Sequence, residues 1–430
     1  MLKKLFAFDP QRTNIKTEIF AGLTSFLTMS YILAVNPSIF SSLEGMPQTA
    51  VFTATALVAF LGSMMMALLA KMPFGIAPGM GTNGFFVFTI CLGMGYSWQF
   101  ALTAIFIEGC IMLLLTLSGL REALVNILPK SIKQAISIGI GLFIAFVGLQ
   151  NSGIIVDDTS TLVRFGSITE GKGLLSIIGL AITGTLVAKN VKGGMLIGIL
   201  LTTLIGIPLG QTHYQGIIGL PQSVEPIFCQ FDFSKLLSMD MLVVVLSFLF
   251  IDLFSLTGSV IAICQKGGFV EKDGSIPGVK RIFIADSTAT ICASLLGTSS
   301  ACTLIEGSAG VSQGGRSGLT ALTIALCFAA SLFFAPLFLT IPQAATSPVL
   351  IIVGLMMFVA VKEIDMEDLS ESIPSFITII VMPLAYSIAD GILLGVISYV
   401  VINALSGKFK KLSIGLCILA ALFVLKYIFL

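Results

Sequence analysis

Gly297-Thr298-Ser299-Ser300-Ala301-Cys302-Thr303-Leu304-Ile305-Glu306-Gly307-Ser308-Ala309-Gly310 decides how this chain folds. One carboxylate, Glu306, stands there among glycines and small hydroxyl residues, between flanks apolar enough to lie in lipid. A carboxylate at bilayer depth is costly, and it faces a cavity or a partner. Glycines and β-hydroxyl residues also loosen the backbone, and non-helical backbone at that depth survives only where protein or a water-filled cavity covers it. The stretch therefore reads as a broken membrane element with Glu306 near the break. The competing reading is a loop carboxylate in water.

The rest of the chain supports a membrane setting. Of 430 residues, 56% are hydrophobic and only 10% charged, against about a quarter charged in an ordinary globular domain. The composition is that of a polytopic membrane protein. A net charge of +1, with no basic patch carrying interleaved aromatics, excludes nucleic acid as a partner. The N-terminus lacks the apolar core and small-residue cleavage site of a signal peptide, so the first span is expected to serve as its own targeting signal. Eight cysteines are scattered singly without metal-ligand spacing and read as small core residues. The one histidine, His213, falls in a polar connection, which speaks against a metal site or a proton relay there.

Taken in order, Thr17–Pro37 is the first span, preceded by Lys3, Lys4, Arg12 and Lys16. The positive-inside bias puts the N-terminus in the cytoplasm. After a second span at Gln48–Ala70, the segment Pro73 to Gly84 packs two prolines and four glycines into twelve residues. Proline removes a backbone donor and glycine adds freedom, so a regular helix is excluded. A short extended piece leading into a half-helix through Cys91 is expected.

Trp98–Ser118 is the fourth span, with Glu108 at its middle, followed by a link holding Arg121, Glu122, Lys130 and Lys133. Ser131–Leu149 is the fifth. A polar stretch, Asn151–Lys172, precedes two short helices, Gly173–Lys189 and Lys192–Pro208, and Gly210–Asp240 is an external connection. Met241–Ile263 carries Asp252, Ser255 and Ser259 at i, i+3 and i+7, one face of a helix. The segment Lys266–Arg281 is positive and cytoplasmic. Ile282–Leu296 follows, with Asp286 near its end and expected as a capping or interfacial residue. Leu319–Leu339 and Ser347–Val361 are spans eleven and twelve, and Lys362–Glu371 is an acidic, solvated link. Ser375–Tyr386 and Asp390–Ala404 are two further short helices, and Leu412–Leu430 is one more apolar helix of open placement.

Two features repeat. Val191 to Leu200 resembles Ala389 to Ile397 in pattern, each entering the second of two short helices. The glycine-interrupted segments at Ala77–Asn83 and Gly297–Glu306 both stand third from the start of their half. Seven elements per half make the halves opposite in orientation, and broken helices at matching places of inverted repeats point to a transporter site at the midplane.

If the two broken segments meet beside the Asp252 helix, the site offers half-helix amides, the Asn83 amide, hydroxyls of Thr82, Ser255 and Thr303, and the carboxylates of Asp252 and Glu306. That set suits a flat polar solute with several N–H donors and C=O acceptors, such as a nucleobase. A carboxylate takes two donors from one ring edge, and an amide both donates and accepts. Burial favours the neutral form of a carboxyl group, so Asp252 or Glu306 is the expected carrier of a coupled proton. Each residue also has a plainer reading: Asp252 as a buried acid satisfied by hydroxyls, Asn83 as a cap of the half-helix.

These motifs resemble those of the adenine/guanine/hypoxanthine permeases, the AzgA-like branch of the xanthine/uracil permease family. The similarity lies in Gly297-Thr298-Ser299 through Glu306 and on through Gly314-Gly315-Arg316 to Ala321, in Ala77-Pro78-Gly79-Met80-Gly81 with Asn83 and Phe85-Phe86, and in Phe8-Asp9 with Glu18 through Ile32. It covers nearly the whole chain. It implies an all-α fold of fourteen transmembrane segments as two inverted seven-span repeats, with broken helices and short strands at spans 3 and 10. The implied core domain comprises residues 1–126 and 211–340, and the gate domain 127–210 and 341–430. Glu306, Asp252 and Asn83 match the residues that hold the purine, with Thr28, Gly81, Thr82, Ser255 and Thr303 beside them. A base imported with a proton by an elevator-like movement, no cofactor beyond that proton, a homodimer through the gate domain, and a multi-pass place in the bacterial inner or plasma membrane are further implications.

The chain departs from the branch in the eighth span. The usual pattern has a second acid and a threonine where this sequence has Ser255 and Leu256, a change that bears on substrate choice and proton handling. Gly307 stands where serine is expected. Two other functions compete. A passive facilitator or channel for a small planar solute would use the same fold, and is distinguished by indifference to a pH gradient. An intramembrane aspartyl enzyme needs Tyr-Asp and Gly-x-Gly-Asp settings that neither acid has.

Overall fold

The computed structural model describes residues 2–121, 128–271 and 276–429, so Glu122 and part of the positive link around 272–275 lie outside the described residues. Among the described residues, eight helices are long and apolar enough to cross a bilayer. With shorter or more polar elements they form fourteen consecutive units. In the first half these are Ile15–Phe40, Gln48–Ala70, strand β1 (Ile76–Pro78) running into Met80–Gly93, Trp98–Ser118, Lys130–Asn151, Gly171–Ala188 and Gly194–Gly206. In the second half they are Met239–Gly267, Val279–Leu296, β4 (Ala301–Thr303) running into Ser308–Ser312, Gly318–Leu339, Gln343–Glu363, Leu369–Leu384 and Ile388–Leu405. They are called spans 1 to 14 below.

The breaks occur where glycine and proline concentrate. Gly297 closes span 9 in the left-handed region at φ 85°, and a Cβ there would lie 2.5 Å from the Ile227 carbonyl. Only glycine meets both demands without strain. The freed chain then forms β4, which pairs antiparallel with β1 in the register Ile76↔Thr303, Ala77↔Cys302, Pro78↔Ala301. Each broken segment thus satisfies the backbone groups of the other, as membrane depth requires. All six paired residues are buried.

Around this crossing, span 4 packs on both span 8 and span 9, and spans 1 and 2 pack on span 11, with span 2 also on span 9. Spans 5, 12 and 13 form a second set, joined by span 14 on span 13 and by spans 6 and 7 against span 12. Gly310 lets span 10 approach span 1, since a Cβ there would stand 2.3 Å from the Ala21 carbonyl oxygen. Glu18 ties the same corner: its carboxylate accepts from the Arg316 N–H at 3.0 Å and the Thr320 hydroxyl at 2.5 Å.

Several peripheral expectations are refined. Asn151–Lys172 contains a β-hairpin, β2 (Ile155–Asp158) with β3 (Leu162–Phe165). The acidic run is less free than a solvated link: Asp368 caps span 13 and bridges Lys408 and Lys411 at 2.8 Å each, while Glu371 holds Lys411 at 2.6 Å. These lysines, with the Ser370 hydroxyl and N–H, hold Asp368 well below the usual carboxylate range. The C-terminal apolar helix, Ile414–Phe429, packs on span 14.

Candidate functional site

The β1–β4 crossing aligns the starts of two half-elements. Met80–Gly93 begins straight after β1, and a single 3₁₀ turn, Ile305–Gly307, follows β4 and carries Glu306. Glu306 is half-buried, and its Oε1 accepts the Tyr31 hydroxyl at 2.8 Å. Tyr31 itself is 1% exposed, standing at the kink between the two helical parts of span 1. Below it the same span clamps the turn: the Thr28 hydroxyl lies 3.1 Å from the Glu306 carbonyl oxygen, and the Ser25 hydroxyl donates to the Gly307 carbonyl at 3.0 Å. Ser25 also accepts the Gly310 N–H at 3.0 Å. The turn is therefore held through its backbone, and one carboxylate oxygen remains for a ligand.

In the half-element that follows β1, Asn83 is fully buried; its Oδ1 accepts the Ser299 hydroxyl and its Nδ2 has no protein partner. The Thr82 hydroxyl donates to the Gly79 carbonyl at 2.9 Å and reaches the Ser300 carbonyl at 3.2 Å. Ser300 in turn donates through its hydroxyl to Asp252 Oδ2. Thr303 donates its N–H to Asp286 Oδ1 at 3.1 Å, leaving its buried hydroxyl without a partner. Gly81 faces Ile140 of span 5, where a Cβ would come within 3.0 Å. Ser255 is half-buried, one helical turn beyond Asp252.

Thus Asn83, Thr82, Thr303, Asp252 and Glu306 all gather at the crossing, but the two acids face different neighbours. Glu306 meets Tyr31, whereas Asp252, 1% exposed, is turned to Ser300 and toward Glu108. Asp286 is neither cap nor interfacial: it is 1% exposed and anchors β4. Tyr31, Asp286, Glu108 and Arg121 were not singled out as site residues from sequence. Tyr31 and Glu306 are 275 positions apart, and no local pattern links them. The signal that was available for Glu108 was its position in the middle of an apolar span.

An unpartnered amide donor at Asn83, an open carboxylate acceptor at Glu306 and unpaired hydroxyl capacity at Thr303 make a set that can read both donors and acceptors of a planar ring. Among the described residues no group of three or more histidine, cysteine or acidic side chains is arranged to hold a metal ion.

Residues 16–394 match the model of the permease family Xan_ur_permease. Adenine permease AdeP of Escherichia coli (strain K12) is 40% identical over 429 residues, covering 100% of this chain and 96% of that protein. Guanine/hypoxanthine permease PbuG of Bacillus subtilis (strain 168) is 41% identical over 440 residues, covering 100% of each. Among solved structures, the transmembrane domain of the cyanobacterial bicarbonate transporter BicA superposes with a TM-score of 0.64 at 15% identity, covering 89% of this chain and 97% of that one. At that identity the likeness speaks for the fold alone, two inverted seven-span repeats. The chain belongs to the xanthine/uracil permease family, and is a membrane transporter of that family's adenine and guanine/hypoxanthine permease branch.

Proposed function

We propose that the protein imports purine nucleobases, adenine, guanine or hypoxanthine, by proton symport. The carrying observation is Glu306: a carboxylate held by Tyr31 on one oxygen, on the turn that follows β4, while the buried Asn83 after the paired strand β1 has an amide nitrogen with no protein partner. Full-length similarity to an adenine permease and a guanine/hypoxanthine permease supports the same substrate class. A purine edge with adjacent N–H donors and ring acceptors pairs with Glu306 and Asn83 together, and bidentate pairing supplies selectivity. Asp252 and Glu306 are the coupling acids in this reading, and no cofactor takes part.

The packing of spans 1–4 and 8–11 as one set and 5–7 and 12–14 as another supports an elevator-like movement of core against gate. A homodimer through the gate set, and an N-terminus in the cytoplasm, complete the proposal. The test is uptake of labelled adenine, guanine, hypoxanthine, xanthine and uracil by reconstituted vesicles, each competed against the others. Saturable uptake confined to one or two purines supports the proposal; equal uptake of uracil, or a rate indifferent to a pH gradient, removes the purine or the symport part respectively.

A further inference from the structure

Packed against β4 lies a buried group of charges to which the recognition of the base proposed above assigns no contact. Glu108 of span 4 is 0% exposed, and neither of its carboxyl oxygens has a donor in the protein; Asp252 Oδ1 also lacks one. The Glu108 and Asp252 carboxyl groups face each other, with Asp286 of span 9 and Cys302 of β4 as further titratable neighbours. The cation acting on all three acids is Arg121, which is 2% exposed. Its guanidinium lies 4.0 Å over the Phe283 ring and donates one N–H to Thr116 at 3.2 Å, while Nε and the other terminal nitrogen have no acceptor.

Two ionised carboxylates are acceptors only and cannot satisfy one another; one proton turns the pair into donor and acceptor. Three buried acids facing a single guanidinium that bonds none of them also leave charge uncompensated in low dielectric, which costs several kcal/mol per ion. A proton between Glu108 and Asp252 removes the first penalty and lessens the second.

We propose that Glu108 and Asp252 form a shared proton-binding site of the transport cycle, with Arg121 as its counter-charge and Ser300 as its link to the base pocket. This rests on the symport reading and adds a residue in span 4 to it. The Ser300 hydroxyl donates to Asp252, and its carbonyl receives Thr82 from the first half-element. Displacement of the crossing by a bound base is thereby felt by the acid pair. Glu108 holds the proton and does not touch the base.

The experiment uses the full chain in vesicles, with wild type, Glu108→Gln and Arg121→Gln compared in two modes: accumulation of labelled base driven by an inward proton or sodium gradient, and exchange of labelled for unlabelled base without a gradient. Glu108→Gln is expected to lose proton-driven accumulation and keep exchange. Arg121→Gln is expected to move the pH profile of accumulation to more alkaline pH, because loss of the cation favours neutral carboxyl groups; this variant decides the matter if Glu108→Gln does not fold. Proton-driven accumulation by Glu108→Gln equal to wild type, or an Arg121→Gln profile that does not move, overturns the proton site alone. Wild-type vesicles that accumulate no base, or do so only on a sodium gradient, overturn the symport reading and this inference with it.

Discussion

Replacing Tyr31 with phenylalanine removes one oxygen and leaves the ring where it packs. The lost atom is the only side-chain donor that Glu306 has among the described residues, at 2.8 Å from Oε1. A hydrogen bond to a charged group contributes about 1.5–3 kcal/mol. At about 1.4 kcal/mol per tenfold change in affinity, base binding should weaken by roughly 10- to 150-fold if that bond aims the free oxygen at the ring. The turn itself should stay in place, because Thr28 and Ser25 hold its carbonyls independently of Tyr31. The assay is equilibrium binding of labelled hypoxanthine or adenine to the purified protein, with thermal unfolding run beside it to show that the variant is folded. A folded Tyr31→Phe protein that binds within about twofold of wild type, a difference of only ~0.4 kcal/mol, would show that Tyr31 does not position Glu306 or that Glu306 does not meet the base.

Other outcomes follow from the same geometry. Glu306→Gln turns a donor toward the donors of the ring and should abolish measurable binding, checked in the same assay; retained affinity places the base elsewhere. Asp252→Asn should stop or uncouple transport, read as the loss of pH-dependent accumulation, and an unchanged pH dependence argues against a proton role for that acid. Gly310→Ala would set a methyl 2.3 Å from the Ala21 carbonyl and 2.4 Å from Ser25 Oγ; overpacking of this kind costs about 1–3 kcal/mol, so the thermal midpoint should fall, and an unchanged midpoint contradicts the close approach of spans 1 and 10. Asp368, held below its ordinary range by Lys408 and Lys411, stabilises the folded state above the unfolded value of about 3.9 and loses that contribution as pH falls. Asp368→Asn should therefore lower the thermal midpoint at neutral pH, with the gap to wild type closing below about pH 4; a gap that does not change with pH rules the ion pairs out as its cause.

The breaks in spans 3 and 10 were legible because glycine and proline act locally: Pro73 to Gly84 and Gly297 to Gly310 forbid a continuous helix wherever they lie. Their matching places in the two halves, and the stripe of Asp252, Ser255 and Ser259, were also open to a reading of spacing alone. The register of β1 on β4 was not, because two three-residue strands, 223 positions apart at the Pro78↔Ala301 pair, carry no periodicity that selects a partner atom. Asp286 was misplaced for a related reason. Its distance from the expected end of span 9 suggested an interface, but the helix begins earlier, at Val279, and β4 folds back along its middle and brings the Thr303 N–H to Asp286. Glu108 stood alone in its span, and its meaning depends on the face that span 8 presents to span 4. Local rules thus located the breaks and the acids, while tertiary packing decided which acid meets Tyr31 and which faces another acid.

The most direct single test is accumulation of labelled purine in vesicles under an inward proton gradient, wild type against Glu306→Gln. Accumulation above the external concentration by wild type, collapse of that gradient with a protonophore, and no accumulation by a folded Glu306→Gln protein are the predicted results. Uphill purine uptake by Glu306→Gln at the wild-type level would contradict the assignment of Glu306 as the base-holding carboxylate, and no purine uptake by wild type would contradict proton-coupled purine import itself.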